Sequence, residues 1–181
     1  MKRLVTALAL VAALAGLSAC SSKGEEVAAQ CPQGGIVPDA NTIVRFRDGP
    51  GRDITDVLLQ AQVVDMRINC QYAKGRNAKP AVTIDLQIAF AAERGPAERS
   101  RKASAPYFVA IVDPQRNIVA KETFSADFEW TDNRPRTGRI DQWEPYIPLN
   151  SNFDGPSYQI LIGFQLSEDQ LAWNRKQRGA K

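Results

Sequence analysis

The feature that most constrains the fold is a period-two alternation of apolar and polar residues. Between residues 82 and 90 every second residue is large and apolar, with Thr, Asp, Gln and Ala in between. Residues 158–166 repeat this pattern near the end of the chain. Alternation with this period is typical of β-strands that bury one face and expose the other. The chain is therefore expected to fold mainly as β-structure.

A hairpin is expected in the middle of the chain. Residues 107–112 are apolar at every position, which predicts a central strand or one covered on both faces. The following Asp113–Asn117 has the composition of a turn, with Pro and Asn beside Asp. It leads into a second strand over residues 118–124.

Three further strands complete a set of about seven. One is short, over residues 42–46, and one is long, over residues 57–70, with Val64, Met66 and Ile68 expected on one face. Residues 142–149 contain two prolines, which lack the N–H that a ladder needs, so this strand belongs at a sheet edge.

These strands predict an all-β fold, an antiparallel β-sandwich of about seven strands that is immunoglobulin-like, with a small β-barrel as the alternative. A short C-terminal helix is expected to follow, because Ser167 is a good N-cap and Gln170 completes a capping box. Leu171 and Trp173 are the residues expected to dock this helix on the sandwich. Residues 34–181 are expected to form one domain.

The first 20 residues have the pattern of an export signal. Lys2 and Arg3 precede an apolar run over residues 4–16, which is shorter than the about 20 residues that a spanning helix needs. The run ends in Leu-Ser-Ala-Cys, with Cys20 last, and this string resembles the bacterial lipobox. An ordinary secretory signal with a chance cysteine is the alternative.

The resemblance to the lipobox class has specific implications. Residues 1–19 would be a signal peptide that is removed, and Cys20 would be the lipidated first residue of the mature chain. Several acyl chains give a stable membrane anchor. Under the family's sorting rule, Ser21 as the next residue implies a location on the periplasmic face of the outer membrane, with the inner membrane as the alternative.

The mature chain is expected to start with a tether and to be nearly neutral. Residues 20–33 comprise the lipidated cysteine and a flexible tether, in which the small, polar segment 21–30 would have an r.m.s. span of roughly 17 Å as a flexible coil. Removing Lys2 and Arg3 leaves 21 basic against 20 acidic residues, a formal charge of +1. That balance gives no argument for a nucleic-acid partner.

Two cysteines remain once Cys20 carries lipid. An even pair in an oxidising compartment predicts a disulfide between Cys31 and Cys70, although two free buried thiols are the alternative. In the chain-entropy model, closing a loop of that length stabilises the fold by about 4 kcal/mol.

The chain contains no histidine. This excludes Ser-His-Asp and Cys-His catalysis and the usual zinc sites. We therefore expect no enzyme activity, no catalytic residue, no metal and no cofactor. The carboxylates of Asp127, Glu129 and Asp132 could divide acid and base roles or bind Ca²⁺. Their spacing matches no specific signature, so a solvated surface is the favoured interpretation.

Other candidate groups also have ordinary structural interpretations. Asp53, beside Asp56, is expected to cap a turn rather than to serve a ligand. The charged loop Glu98–Lys102 could touch anionic head groups or cell-wall acids, as could a second basic cluster, or both could simply be solvated. Trp130 and Trp143 could form a binding patch with that second cluster or pack in the core. The second cluster consists of Arg134, Arg136 and Arg139.

Three longer stretches resemble a group of small lipoproteins from alphaproteobacteria. They are TIVRFRDGPGRDITDVLLQAQVVD, YFVAIVDPQRNIVAKETF and YQILIGFQLSEDQLAWNR. The resemblance implies a lineage and supplies no catalytic residues.

The expected function is that of a membrane-anchored periplasmic lipoprotein, a non-enzymatic binding or structural module of the cell envelope. Its partners would be the membrane, through the lipid at Cys20, and an envelope protein or cell-wall component. The alternatives are a carboxylate-dependent envelope hydrolase and a carrier of apolar ligands.

Overall fold

The computed structural model describes residues 30–74, 80–131, 133–149 and 154–179. In these ranges the chain forms nine β-strands and one α-helix. The elements are β1 (Gln33–Ile36), β2 (Thr42–Phe46), β3 (Val57–Lys74), β4 (Pro80–Arg94), β5 (Lys102–Val112), β6 (Ile118–Glu129), β7 (Arg136–Trp143), β8 (Tyr146–Pro148), β9 (Gln159–Phe164) and α1 (Glu168–Gly179).

The strands form two sheets that pack face to face. Sheet 1 has the order β1-β9-β5-β6, and sheet 2 has the order β2-β3-β4-β7, with β8 also pairing with β4. The pairing is antiparallel except between β1 and β9, which run parallel. The prediction of an all-β, antiparallel sandwich with a C-terminal helix is confirmed.

The strand number differs from the predicted seven for two reasons. β1 carries two glycines and shows no alternation, so it gives no sequence signal. The predicted edge strand over residues 142–149 is two strands, because Glu144 and Pro145 interrupt the pairing with β4 between β7 and β8. β7 also begins earlier than predicted, at Arg136.

The core fills the space between the two sheets. The alternating residues of β4 supply one side of it, and those of β5 and β9 supply the other. Burying each large apolar side chain contributes about 1.5–3 kcal/mol. The largest side chains that are fully buried are Trp130, Phe90, Phe164, Leu59, Ile84, Leu86, Ile88, Ile160, Ile162, Val82 and Val109.

The predicted central hairpin is confirmed. β5 lies between β9 and β6, and both of its faces are buried over residues 109–112. The turn is held by Asp113, whose backbone N–H donates to the carbonyl of Asn117 over 2.9 Å and whose Oδ1 accepts from the N–H of Asn117 over 2.8 Å.

The expectation for Val64 is wrong. The pairing of β3 with β4 shifts between Val63 and Asp65, so Val64 is an extra residue in the strand. This bulge reverses the alternation at that point. Val63 is buried, and Met66 and Ile68 are partly buried and pack against the core. Val64, in contrast, is 50% exposed.

The C-terminal helix begins as predicted. The N–H of Gln170 donates to Ser167 Oγ over 3.3 Å, and the N–H of Ser167 donates to Gln170 Oε1 over 2.9 Å, which is a capping box. Trp173 packs edge-on against Phe46 of β2, with ring centroids 5.1 Å apart. Leu171 is half-buried.

The sandwich has two distinct ends. The N-terminal end holds Gln30, whose carbonyl accepts from the Tyr72 hydroxyl over 2.6 Å, and Cys31, which is bonded to Cys70. The far end holds the loop over residues 47–56 and the loop over residues 95–101, where β2, β3, β4 and β5 end or begin.

Candidate functional site

A groove on the far half of the sandwich is the strongest candidate site. It lies between α1, the outer face of β2 and β3, and the 47–56 loop, and its volume is about 730 Å³. We call it the α1–β2 groove. It is lined by Pro38, Asn41, Thr42, Val44, Phe46, Arg52, Asp53, Ile54, Val57, Gln60, Gln62, Trp173, Asn174, Gln177 and Arg178.

Aromatic and guanidinium groups meet at one side of the groove. The Arg52 guanidinium lies 5.4 Å from the ring centroid of Phe46, whose other neighbour is Trp173. Arg52 Nη1 also donates to the carbonyls of Gly49, over 2.8 Å, and Gly51, over 2.7 Å. The loop thereby holds Arg52 in place over the aromatic pair.

The loop itself is built on a buried carboxylate. Asp56 is 2% exposed, and its Oδ1 lies 2.5 Å from Nη2 of Arg47. Gly51 passes so close to this carboxylate that a Cβ there would lie 2.2 Å from Oδ2, so only glycine fits. Gly49 has a φ of +122°, a conformation that glycine adopts without strain.

The prediction that Asp53 caps a turn is confirmed. Its Oδ1 accepts from the backbone N–H of Thr55 over 2.7 Å, and its own N–H donates to Asp56 Oδ2 over 3.3 Å. The hydrogen bonds from the Thr55 hydroxyl and N–H lower the pKa of Asp53 below its usual value. The Asp53 carboxylate therefore stabilises the loop.

The helix forms the opposite wall and is fastened by polar contacts. Nδ2 of the buried Asn174 donates to the carbonyls of Asp39, over 2.9 Å, and Thr42, over 2.7 Å. Arg175 and Arg178 pair with the Asp39 carboxylate. The hydrogen bond from Arg175, helped by the charge of Arg178, lowers the pKa of Asp39 below its usual value.

The chemistry of the groove suits binding. Ile54, at the rim, is 77% exposed, and Gln60, Gln62 and Gln177 present amides. Trp and Arg are enriched at the centres of protein interfaces. These groups can bury an apolar side chain and exchange hydrogen bonds with a partner.

The acidic residues suggested by the sequence do not form a cleft. Asp127 and Glu129 lie on the exposed face of β6, where they alternate with buried residues, as expected for a solvated surface. Asp127 Oδ1 accepts from the Ser125 hydroxyl over 2.9 Å, and Glu129 lies 3.6 Å from Nζ of Lys102. Asp132 lies outside the described residues. Within the described ranges no group of three or more acidic or cysteine side chains is placed to hold a metal.

The second basic cluster is divided between two faces of β7. Arg136 pairs with Glu93 over 3.1 Å, whereas Arg139 pairs with Asp141, whose side chain is mostly buried. The core interpretation of the tryptophans is confirmed. Trp130 is 1% exposed, and Trp143 packs against Phe124 at 5.6 Å between ring centroids.

Sequence reasoning missed a polar cluster between the sheets. The hydroxyl of Tyr107 on β5 donates to Asp141 Oδ2 on β7 over 3.0 Å, and Arg139 Nε donates to Asp141 Oδ1 over 2.6 Å. Burial raises the pKa of the Tyr107 hydroxyl, as does the hydrogen bond to Asp141. The cluster links the two sheets, and Tyr107 is too far in sequence from Arg139 and Asp141 for the three residues to form a motif.

The predicted disulfide is present. Cys31 and Cys70 are bonded, with their Cα atoms 5.6 Å apart, a normal separation. Residues 30–33 of the expected tether belong to the folded body, because Gln30 contacts Tyr72 and Gln33 pairs with Gln159. Cys20, the predicted lipidation site, lies outside the described residues, as do the predicted signal peptide (1–19) and the rest of the expected tether.

No protein-family model, no curated protein and no solved structure matches this chain. In the part of the chain that the structure describes, no helix is long and apolar enough to cross a bilayer.

Proposed function

We propose that this protein is a membrane-anchored periplasmic lipoprotein, held by lipid on Cys20, that acts as a non-enzymatic binding module of the cell envelope. The observation that carries the proposal is the position of the α1–β2 groove on the far half of the sandwich from Gln30 and Cys31. A chain anchored ten residues before Gln30 would present this groove away from the membrane, toward a partner.

Two features support the proposed anchor and the periplasmic location. The Leu-Ser-Ala-Cys string that ends at Cys20 resembles a lipobox. The bond between Cys31 and Cys70 is of a kind that persists in oxidising compartments such as the periplasm. The outer membrane is the proposed location, on the basis of Ser21.

The composition of the groove supports binding. A rigid sandwich with recognition groups on the loops at one end is a common arrangement for binding proteins. Here the loop is fixed by Asp56 and the helix by Asn174, so the groove is preorganised, which reduces the entropy cost of association. An envelope protein or cell-wall peptide with an apolar side chain and backbone amides fits these groups.

The observed geometry favours binding over the two alternatives. A hydrolase needs two carboxylates that face each other across a cleft. Asp127 and Glu129 instead lie on the exposed face of β6 and are paired with neighbours. A carrier of apolar ligands needs an internal cavity of several hundred Å³. The space between the sheets is filled by large side chains such as Trp130, Phe90 and Phe164.

Photo-crosslinking in intact cells tests the proposal. The full chain carries p-benzoylphenylalanine at Ile54, on the rim of the groove, or at Ile140 as the matched control. Ile140 is 66% exposed on β7, at the opposite edge of sheet 2. We expect a discrete adduct from position 54 that is absent from position 140. Equal yields at both positions, or none at either, would contradict a groove-specific partner.

The anchor is tested separately by intact mass. The mature protein should begin at Cys20, carry the added mass of its acyl chains and contain one disulfide. A mature chain that begins elsewhere or lacks the acyl mass would disprove the anchor.

A further inference from the structure

We propose that the N-terminal end of the sandwich contacts the lipid bilayer directly, through the tip of the β5–β6 hairpin. This proposal rests on the proposed function, because it takes the lipid on Cys20 as given. The surface consists of Arg116, Ile118 and Val119, which we call the hairpin-tip patch. Its proposed occupant is a phospholipid surface with anionic head groups.

Exposure of the apolar residues is the first observation. Ile118 is 62% exposed and Val119 is 53% exposed. Ile118 pairs with Val112, while Ala120 pairs with Ile111, so Val119 is an extra residue in β6. Among the exposed large apolar side chains of the described ranges, these two are the adjacent pair. Adjacent apolar side chains on a projecting tip can enter the head-group region together.

The strand register places this patch at the same end as the N-terminal segment. Gln33 pairs with Gln159, Gln159 with Val112, and Val112 with Ile118. These four residues form one row across sheet 1, in which neighbouring strands are about 4.8 Å apart. Ile118 therefore lies about 14 Å from Gln33.

The length of the chain between Cys20 and the folded body then limits how far the hairpin-tip patch can lie from the bilayer. Gln30 lies ten positions after Cys20, and an extended chain covers at most about 3.5 Å per position, or about 35 Å. A flexible coil of that length spans about 17 Å. The bilayer is thus within reach of the hairpin tip whenever the N-terminal end faces it.

The charge of Arg116 points to the same occupant. Arg116 is exposed at the tip and has a φ of +67°, a conformation that glycine or asparagine adopts with less strain. Of the nearby carboxylates, Asp113 is used to hold the turn, and Glu122 follows on β6. An exposed arginine beside two exposed apolar residues suits an anionic head group, because each arginine near such a surface strengthens membrane binding about fivefold.

Depth-dependent quenching tests the proposal on the full, lipidated chain. The protein is reconstituted in vesicles of phosphatidylethanolamine and phosphatidylglycerol that contain a spin-labelled lipid as quencher. A fluorophore is attached to Gln115→Cys at the hairpin tip or to Ser100→Cys at the far end, since Cys20 carries lipid and the other two cysteines are bonded. We expect quenching at position 115 to exceed that at position 100 several-fold, and equal quenching would overturn the proposal.

Variants identify the groups responsible. Ile118→Thr with Val119→Thr keeps β-branched side chains and should reduce quenching at position 115 to that at position 100. Val64→Thr with Ile140→Thr, two exposed sites elsewhere, should leave quenching unchanged. Arg116→Gly should lower the contact equilibrium about fivefold without lowering the melting temperature, because glycine relieves the positive φ. Unchanged quenching in both patch variants would also overturn the proposal.

Flotation separates this proposal from the proposed function. Protein that fails to float with the vesicles lacks the anchor, and the proposed function then fails with it. Protein that floats but shows equal quenching at both ends is anchored without contact at the hairpin tip, so only the further inference fails.

Discussion

At the scale of single residues, the buried carboxylate of Asp56 determines the shape of the loop beside the groove. It accepts from the N–H of Asp53 and pairs with Arg47. Asp56→Asn keeps the size of the side chain but removes its charge, and we expect a loss of about 1–3 kcal/mol in the free energy of unfolding. Urea denaturation measures it. Asp65→Asn, which breaks an exposed pair with Arg67, should cost less than about 1 kcal/mol. Equal losses would show that burial of Asp56 is unimportant.

Residue roles could be predicted from sequence where the partners are close in sequence. The caps at Asp53 and Ser167 depend on backbone groups two or three residues away, and both are present. The exposure of Val64 depends instead on a bulge relative to β4, and the role of Asp141 depends on Tyr107 in another sheet. Neither partner is visible from the local pattern, so both were beyond sequence reasoning.

At the scale of elements, α1 is held to the sandwich by charges that titrate in acid. The pKa of Asp39 lies below its usual 3.8, chiefly because Arg175 donates to it. Folding therefore favours the ionised form. The stabilisation is complete above about pH 5 and is lost as the pH falls below 4, through the folded-state pKa. At pH 7 the melting temperature of wild type should be higher than that of Asp39→Asn, and this difference should become smaller toward pH 3. A difference that stays constant over this range would contradict the role of the Asp39 charge.

The elements that the sequence failed to indicate are the ones that depend on their neighbours. β2 lies where the sequence predicts it, and the predicted segments 107–112 and 118–124 lie within β5 and β6, although β5 begins five residues earlier, at Lys102, and β6 ends five residues later, at Glu129. β1 has the sequence Gln-Gly-Gly-Ile and becomes a strand because β9 offers an edge and the disulfide holds it there. The groove was likewise hidden, since it requires Trp173 of α1 to meet Phe46 of β2.

At the scale of the whole molecule, the two ends of the sandwich differ in their chemistry. The N-terminal end carries the disulfide and the exposed Ile118 and Val119, while the far half carries the groove with Phe46, Arg52 and Trp173. The sequence predicted the fold class and the disulfide, because periodicity and cysteine number are global properties. It did not predict that the two ends differ, because the strand order that brings the N-terminal segment and the β5–β6 turn to the same end is set by tertiary pairing.

The Cys31–Cys70 bond ties β1 to β3 and so fixes where the N-terminal segment leaves the body. The two cysteines are 39 residues apart, and replacing both by alanine should lower the free energy of unfolding by about 4 kcal/mol in the chain-entropy model. Urea denaturation with and without a reducing agent measures this loss, and reduced wild type should match the double variant. The core between the sheets should survive, since its large side chains lie on β4, β5 and β9. If reduction left the stability of wild type unchanged, the bond would not be the constraint on β1, and the pairing of Gln33–Ile36 with β9 would have to hold the N-terminal segment alone.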